Sequence, residues 1–181
     1  MPTSPPRIVG VDDGPFRRVR GSRCVIAVVL HEGLRPVSVD FAYAEVDGRD
    51  ATRAAIEAVR GMHPDLVVVD SVTACGFNYI DGRVLAEETG APVLHVYLYP
   101  LDMSAVERAL AKAGLLDDRL EVVRVHWGAA RRAECRLGGF WYTAWGDAPD
   151  PCALQRYSRI PLPLQNAHRL ARLAARLLLR V

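Results

Sequence analysis

The chain contains 181 residues, of which 50% are hydrophobic and 24% are charged, and its formal net charge is +2. This balance excludes a disordered polypeptide, since the chain is long and apolar enough to bury a substantial core, and no apolar run approaches the roughly 18 residues of a membrane span. We therefore expect a single domain over residues 1–181 in the cytoplasm, without a membrane partner. Its four cysteines show no CxxC pair and no spacing typical of a zinc site. We expect them to be reduced in this compartment, although a thermophilic protein could oxidise a pair.

The first part of the chain predicts an antiparallel meander followed by a helix and a buried strand. Residues 7–12, 24–30 and 37–46 are rich in β-branched side chains, and the short connections between them favour antiparallel pairing. Small apolar residues recur at helical spacing over residues 50–62. Residues 66–69 are all apolar and are flanked by carboxylates, which is typical of a central strand covered on both faces.

The second part of the chain predicts further helices and strands. In chain order these are a helix at 82–89, a strand at 92–97, a helix at 103–113, strands at 120–125 and 140–145, a short helix after Pro149 and a long amphipathic helix at 164–179. Right-handed crossovers would make the strands after the meander parallel to the first strand, with helices on both faces. The expected class is therefore α/β, with a mixed sheet of three antiparallel strands followed by parallel ones, similar to a ribonuclease H-like domain.

Three aspartates lie where elements of this predicted sheet begin or end. Asp12 closes the first strand and Asp70 closes the strand after the first helix, so parallel neighbouring strands would bring both to one sheet edge. Asp50 begins the first helix and either joins them or serves only as the helix N-cap. Asp13 competes with Asp12, but adjacent strand residues point to opposite faces, so only one of the two faces the site.

Clustered carboxylates of this kind indicate a site for a hard divalent cation. Mg²⁺ and Mn²⁺ prefer oxygen ligands and take their remaining ligands from water or substrate phosphate. One or two such ions can polarise a phosphodiester, generate hydroxide and stabilise the leaving oxygen. Asp12 and Asp70 would repel each other if both were ionised without a cation.

Two other segments could contact a nucleic acid. Gly76, Phe77 and Asn78 follow Asp70 closely. Gly76 would let the backbone approach a ligand, Phe77 could stack on a nucleotide base, and Asn78 could hydrogen-bond to it. Alternatively, the three residues form a turn with one buried aromatic. The final helix carries four arginines with no acidic residue among them, which suits either phosphate or a solvated face. The chain lacks a GxGxxG or GK[ST] motif, so no nucleotide cofactor is indicated.

Several short motifs resemble those of two nuclease families. VGVD at 9–12, PDLVVVD at 64–70 and RIPLPLQNAH at 159–168 resemble segments of endonuclease V. Three further segments, DDGPF at 12–16, VDGRDAT at 46–52 and GFN at 76–78, resemble motifs of the archaeal endonuclease dU family. The similarity extends from about residue 7 to residue 171 and implies an endonuclease V-like fold.

The resemblance also implies an activity. It predicts a metal-dependent endonuclease of DNA repair that cuts DNA containing a deaminated base, such as deoxyuridine or deoxyinosine. Asp12, Asp50 and Asp70 would be both metal ligands and catalytic residues, and His168 would complete the catalytic cluster. The expected cofactor is Mg²⁺ or Mn²⁺, the expected partner is nucleic acid, with DNA ahead of RNA, and no protein partner is indicated.

The chain also departs from the endonuclease V pattern. It has no Pro-Tyr-Ile-Pro wedge, it has Tyr-Leu-Tyr-Pro at 97–100 where a lysine is expected, and Leu162 replaces an acidic residue. These departures leave alternatives open: a nuclease that acts on inosine-containing or structured RNA, a non-catalytic nucleic-acid-binding protein that keeps the fold, or a hydrolase of small phosphate esters.

Overall fold

A computed structural model describes residues 4–181 and, within that part of the chain, contains a seven-stranded sheet and a two-stranded hairpin. The strands are β1 (Arg7–Asp13), β2 (Arg23–Glu32), β3 (Arg35–Glu45), β4 (Leu66–Asp70), β5 (Thr73–Ala74), β6 (Asn78–Tyr79), β7 (Val93–Tyr97), β8 (Arg131–Ala133) and β9 (Phe140–Trp145). The helices are α1 (Ala51–Arg60), α2 (Gly82–Thr89), α3 (Met103–Ala113), α4 (Asp118–Gly128) and α5 (Leu162–Ala174), with a 3-10 helix at Pro151–Leu154 and a π-helical turn at Ala175–Leu179.

The strand order of the large sheet is β3-β2-β1-β4-β7-β9-β8. Strands β1, β2 and β3 pair antiparallel, β1, β4 and β7 run parallel to one another, and β9 pairs antiparallel with both β7 and β8. The predicted mixed sheet flanked by helices is therefore confirmed; β4 and β7 run parallel to β1 as expected, whereas β9 runs antiparallel to β7. Parallel pairing of β1 with β4 brings their carboxyl ends to the same edge of the sheet.

The central strand β4 is buried on both faces, which explains its unbroken apolar sequence. Leu66 and Val68 belong to the core beneath α5, together with Leu164 of that helix. Val67 and Val69 belong to the opposite core, beneath α1. Side chains alternate between faces along a strand, so Asp70 follows Leu66 and Val68 and lies on the α5 face.

Two glycines of the β1 region allow α5 to lie directly on the sheet. A Cβ atom on Gly10 would collide with the backbone carbonyl of Pro163, and a Cβ on Gly14 would collide with that of Ala171. Only residues without a Cβ permit such an approach between a strand and a helix backbone. The close packing brings His168, between the two contacts, over the end of β1.

The predicted final helix is present and begins slightly earlier, at Leu162, with Pro161 at its N-cap and Pro163 in its first turn. Its small residues Ala167, Ala171 and Ala174 are buried, whereas the arginines face outward. Among the helices of residues 4–181, none combines the length and the apolarity that crossing a membrane requires.

The predicted strand at 120–125 is wrong, because these residues lie inside α4. The run Leu-Glu-Val-Val-Arg-Val has the β-branched composition of a strand, but tertiary contacts override this weak local preference. Asp117 caps the helix by accepting a hydrogen bond from the Arg119 backbone N–H at 3.1 Å. Asp118 and Glu121 in the first turn add a favourable interaction with the helix dipole.

The cysteines are not reduced, contrary to the sequence-based expectation. The structure pairs all four of them, as Cys24–Cys75 and Cys135–Cys152. The first bridge links β2 to the loop after β5, and its partners are 51 residues apart. Neither pair has a local spacing that marks a disulfide, because the proximity arises only from the folded sheet and its loops.

Candidate active site

An acidic cleft lies at the edge of the sheet where β1 and β4 end. The register pairs Val11 with Val69, so the next residues, Asp12 and Asp70, end neighbouring strands side by side. Both line a cleft of about 440 Å³ that α5 covers from one side. The other lining residues are Leu98, Ser158, Ile160, Leu164, Gln165, His168 and Arg169.

The carboxylate of Asp12 is held from two directions. One oxygen accepts a hydrogen bond from the backbone N–H of Asp13 at 2.7 Å, and the other lies 2.7 Å from Nδ1 of His168. The His168 side chain is 51% exposed, so its ring can contact a molecule in the cleft while it orients Asp12. Within residues 4–181, no protein group donates a hydrogen bond to the side-chain carboxylate of Asp70. Its carboxylate is thus available for a ligand.

The electrostatics of the cleft disfavour full ionisation of its acidic groups. Burial, together with the nearby carboxylates of Asp70 and Asp13, raises the pKa of Asp12 to about 9. Burial also raises the pKa of Asp70, and His168 partly opposes this effect. Two carboxylates at neighbouring strand ends offer the hard oxygen donors that Mg²⁺ and Mn²⁺ prefer, and a bound cation would compensate their negative charge. The residues present therefore fit a divalent metal ion.

Asp13 points away from the cleft, as strand alternation predicts. Its carboxylate accepts a hydrogen bond from the backbone N–H of Cys75 at 2.9 Å and lies 3.7 Å from the sulfur of Cys24. Burial raises its pKa to about 6, an effect that the Cys75 hydrogen bond opposes and the charge of Asp70 reinforces. Asp13 thereby ties β1 to the loop after β5.

Asp50 does not line the cleft. Its carboxylate accepts hydrogen bonds from Nδ2 of Asn78 at 2.7 Å and from the backbone N–H of Glu45 at 3.0 Å. It occupies the N-cap position of α1 but makes no side-chain capping bond. The backbone N–H of Ala51 instead donates to Oδ1 of Asn78 at 3.2 Å. The structure thus places Asp50 in a network that joins β3, α1 and β6.

The Gly-Phe-Asn segment is a turn that stabilises this network. Gly76 has a φ of +84°, and a Cβ there would overlap the carboxylate of Asp47, which accepts a hydrogen bond from the Phe77 backbone N–H at 2.8 Å. Phe77 packs against the core formed by Leu110 and its neighbours. Asn78 is fully buried. In the structure this segment is a turn whose aromatic side chain, Phe77, is partly buried.

The sequence did not single out Gln165, although this side chain shapes the cleft. Its Nε2 donates hydrogen bonds to Oγ of Ser158 at 2.8 Å and to the backbone carbonyl of Ile160 at 2.7 Å. Gln165 precedes His168 by three residues, so the two share one face of α5. That spacing was the available signal that the glutamine also faces the site.

The arginines of α5 continue from the cleft along the surface. Arg169 lines the cleft, and Arg172 and Arg176 line an adjoining depression that also contains His168. Among residues 4–181, none of these three arginines forms a salt bridge. Exposed guanidinium groups without an acidic partner are available to bind phosphate.

Comparison with known proteins identifies relatives over nearly the whole chain. Residues 5–175 match the sequence profile of the family described as endonuclease dU. The UPF0215 protein of Thermococcus sibiricus is 33% identical over 177 residues, which span 91% of this chain and 90% of that protein. The UPF0215 protein of Thermococcus gammatolerans is 35% identical over 179 residues, with 91% and 90% coverage.

Solved structures show the same fold. A protein of unknown function from Archaeoglobus fulgidus superposes with a TM-score of 0.73 at 24% identity and covers 91% of this chain and 95% of its own. Endonuclease V of Ciona intestinalis, solved with a DNA that contains inosine, superposes with a TM-score of 0.57 at 12% identity, covering 93% of this chain and 85% of its own. At these identities the likeness concerns the fold alone.

Proposed function

Since the chain belongs to the endonuclease dU family, we propose that it is a metal-dependent nuclease that hydrolyses a phosphodiester in the cleft between Asp12, Asp70 and His168. The observation that carries the proposal is the pairing of Asp12 and Asp70 at neighbouring strand ends. The adjacent arginines of α5 supply positive charge along the same surface.

Asp12 and Asp70 would hold the metal ion, with Mg²⁺ or Mn²⁺ as the ion that suits their oxygen atoms. When bound, such an ion polarises a phosphodiester and lowers the pKa of water. Asp12 is fixed by its two hydrogen bonds, whereas Asp70 receives none from the described residues and is free to ligate. Asp50 takes a positioning role in this proposal, because its carboxylate is engaged by Asn78 and Glu45.

His168 would orient Asp12 and exchange a proton with the substrate. In the neutral ring, an Nδ1–H that donates to Asp12 leaves Nε2 as a proton acceptor, and in the charged ring Nε2 carries a proton to donate. The side chain is half exposed at the cleft, so Nε2 can reach a bound phosphodiester. Gln165 keeps the opposite wall of the cleft in place through its bonds to Ser158 and Ile160.

DNA with a deaminated base is the proposed substrate, ahead of RNA. The family of this chain is described as endonuclease dU, where dU suggests deoxyuridine, and a structurally similar endonuclease V was solved in complex with a DNA containing inosine. Exposed Arg169, Arg172 and Arg176 offer contacts to successive phosphates, and these contacts do not depend on sequence.

The test is cleavage of labelled oligonucleotides that contain uracil or inosine, as DNA and as RNA, with Mg²⁺, Mn²⁺ or EDTA. We expect metal-dependent cutting that falls roughly 100-fold or more in Asp70→Asn, because the variant loses one of the two anionic oxygen ligands proposed to hold the metal ion. Asp40→Asn is the matched control, since Asp40 lies on β3, the strand farthest from β4 on that side of the sheet.

Full activity of a folded Asp70→Asn protein would contradict the assignment of this cleft. Binding without cutting, for every oligonucleotide and every metal, would identify a nucleic-acid-binding protein without catalysis. Cutting of only one oligonucleotide type would name the substrate.

A further inference from the structure

We propose that Tyr99 and Arg159 form a stacking platform for an unpaired nucleotide base at the mouth of the acidic cleft. The platform would select single-stranded or locally opened nucleic acid over an intact duplex. This inference rests on the proposed function, because it assigns the form of nucleic acid that the cleft admits.

Each member of the pair is next in sequence to residues that line the cleft. Tyr99 comes directly after Leu98, which lines the cleft just beyond the end of β7. Arg159 lies between Ser158 and Ile160, which line the cleft from the segment before α5. A nucleotide whose phosphate lies in the cleft would therefore have this pair within reach of its base.

The ring of Tyr99 is exposed to solvent, and the guanidinium of Arg159 packs against it. Tyr99 is 72% exposed, and the guanidinium carbon of Arg159 lies 5.2 Å from the centre of its ring. This distance is within the range of a cation–π interaction, which restrains the ring without burying it. Because one guanidinium covers only part of the ring, a broad aromatic surface is left open to a further flat group.

The platform is preorganised by the segment that carries Arg159. The buried side chain of Gln155 donates hydrogen bonds from Nε2 to the backbone carbonyl of Arg159 at 3.0 Å and to that of Gly138 at 2.8 Å. The aliphatic part of Arg159 packs beside Gly138. Pro100 restricts the backbone after Tyr99. A rigid platform loses little conformational freedom when it binds a ligand.

The chemistry of stacking determines the form of nucleic acid. Every base has a flat π-surface, so stacking on tyrosine or on a guanidinium plane tolerates any sequence. In an intact duplex the base faces are covered by neighbouring bases, and only an unpaired or extruded base presents a face to a side chain. Arg159 adds a positive charge for the nearby phosphate.

The test uses single-stranded DNA oligonucleotides that contain the fluorescent base 2-aminopurine, in EDTA and low salt so that no cutting intervenes. Stacking on Tyr99 should quench the fluorescence of the bound oligonucleotide in the wild-type protein and in Tyr99→Phe. Tyr99→Leu should lose the quenching and bind roughly 5- to 150-fold more weakly, the range that corresponds to one base stacked on an aromatic ring.

Phe41→Leu is the matched control, because Phe41 is another exposed aromatic but lies on β3, away from the cleft. Equal thermal unfolding of all variants would show that the fold is intact. A matched duplex should bind more weakly than the single strand and should not be quenched.

Unchanged quenching and affinity in Tyr99→Leu would overturn the platform and leave the proposed function standing. The same is true if Tyr99→Phe behaves like Tyr99→Leu, or if the duplex binds as tightly as the single strand. A wild-type protein that binds no oligonucleotide would overturn both the platform and the proposed function.

Discussion

The substitution Asp70→Asn removes one of two acidic groups at neighbouring strand ends and preserves the size of the side chain. Neighbouring strands lie about 4.8 Å apart. At that separation and an effective dielectric constant of about 20, two ionised carboxylates repel by about 3 kcal/mol. Protonation of Asp12 relieves part of this repulsion, so we expect the metal-free variant to gain about 1–3 kcal/mol in free energy of unfolding at pH 8.

The gain in free energy of unfolding of Asp70→Asn over the wild-type protein should increase as the pH rises. Burial and the charges of Asp70 and Asp13 raise the pKa of folded Asp12 to about 9, whereas an unfolded aspartate titrates near about 3.9. Between these values the folded state binds more protons than the unfolded state, so the wild-type protein loses stability as the pH rises. The difference between the two proteins should vanish below about pH 4 and grow towards about pH 9.

Thermal unfolding in EDTA measures the effect. In a domain of this length, 1 kcal/mol corresponds to about 2–4 °C, so Asp70→Asn should melt roughly 2–12 °C higher at pH 8. Excess Mn²⁺ should stabilise the wild-type protein, by about 2.7 kcal/mol at 100 times its Kd, and should stabilise the variant much less. Asp40→Asn controls for the loss of a surface charge. A lower Tm of Asp70→Asn in EDTA, or an equal response of both proteins to Mn²⁺, would refute this reasoning.

Two further substitutions test how the site is supported. Gly10→Ala should lower the free energy of unfolding, measured in urea, by about 1–3 kcal/mol, because its Cβ would overlap the Pro163 carbonyl. The control is Gly61→Ala, where a Cβ meets nothing within 4 Å and the free energy of unfolding should stay nearly unchanged. Equal effects of the two substitutions would contradict the close approach of α5. Asn78→Ala should also destabilise the protein, by about 1–3 kcal/mol, because it leaves buried partners unsatisfied. The folded fraction should keep its oligonucleotide affinity, and a selective loss of affinity would restore a direct binding role for Asn78.

The parallel pairing of β1 with β4 and the adjacency of Asp12 and Asp70 could be predicted because both follow from local patterns. An apolar run that ends in a carboxylate predicts a buried strand, and a right-handed crossover fixes its direction relative to β1. The two aspartates then meet at one edge without any knowledge of side-chain contacts.

The surroundings of Asp50 and the helix α4 could not be predicted in this way. The hydrogen bonds of Asp50 depend on Asn78, which is 28 residues away and reaches it only through the turn at Gly76. The run at 120–125 has strand-like composition, and only its packing in the folded chain favours the helix. The disulfides likewise depend on tertiary proximity.

The contact between Asp12 and His168 joins residues that are 156 positions apart. During synthesis, both aspartates of the cleft are made before α5, the helix that packs against the glycines of the β1 region. A ribosome-bound chain that ends before residue 168 therefore has its acidic pair but lacks the histidine and the arginines beside it. The cleft is therefore complete only when the beginning of the fold and its closing helix come together.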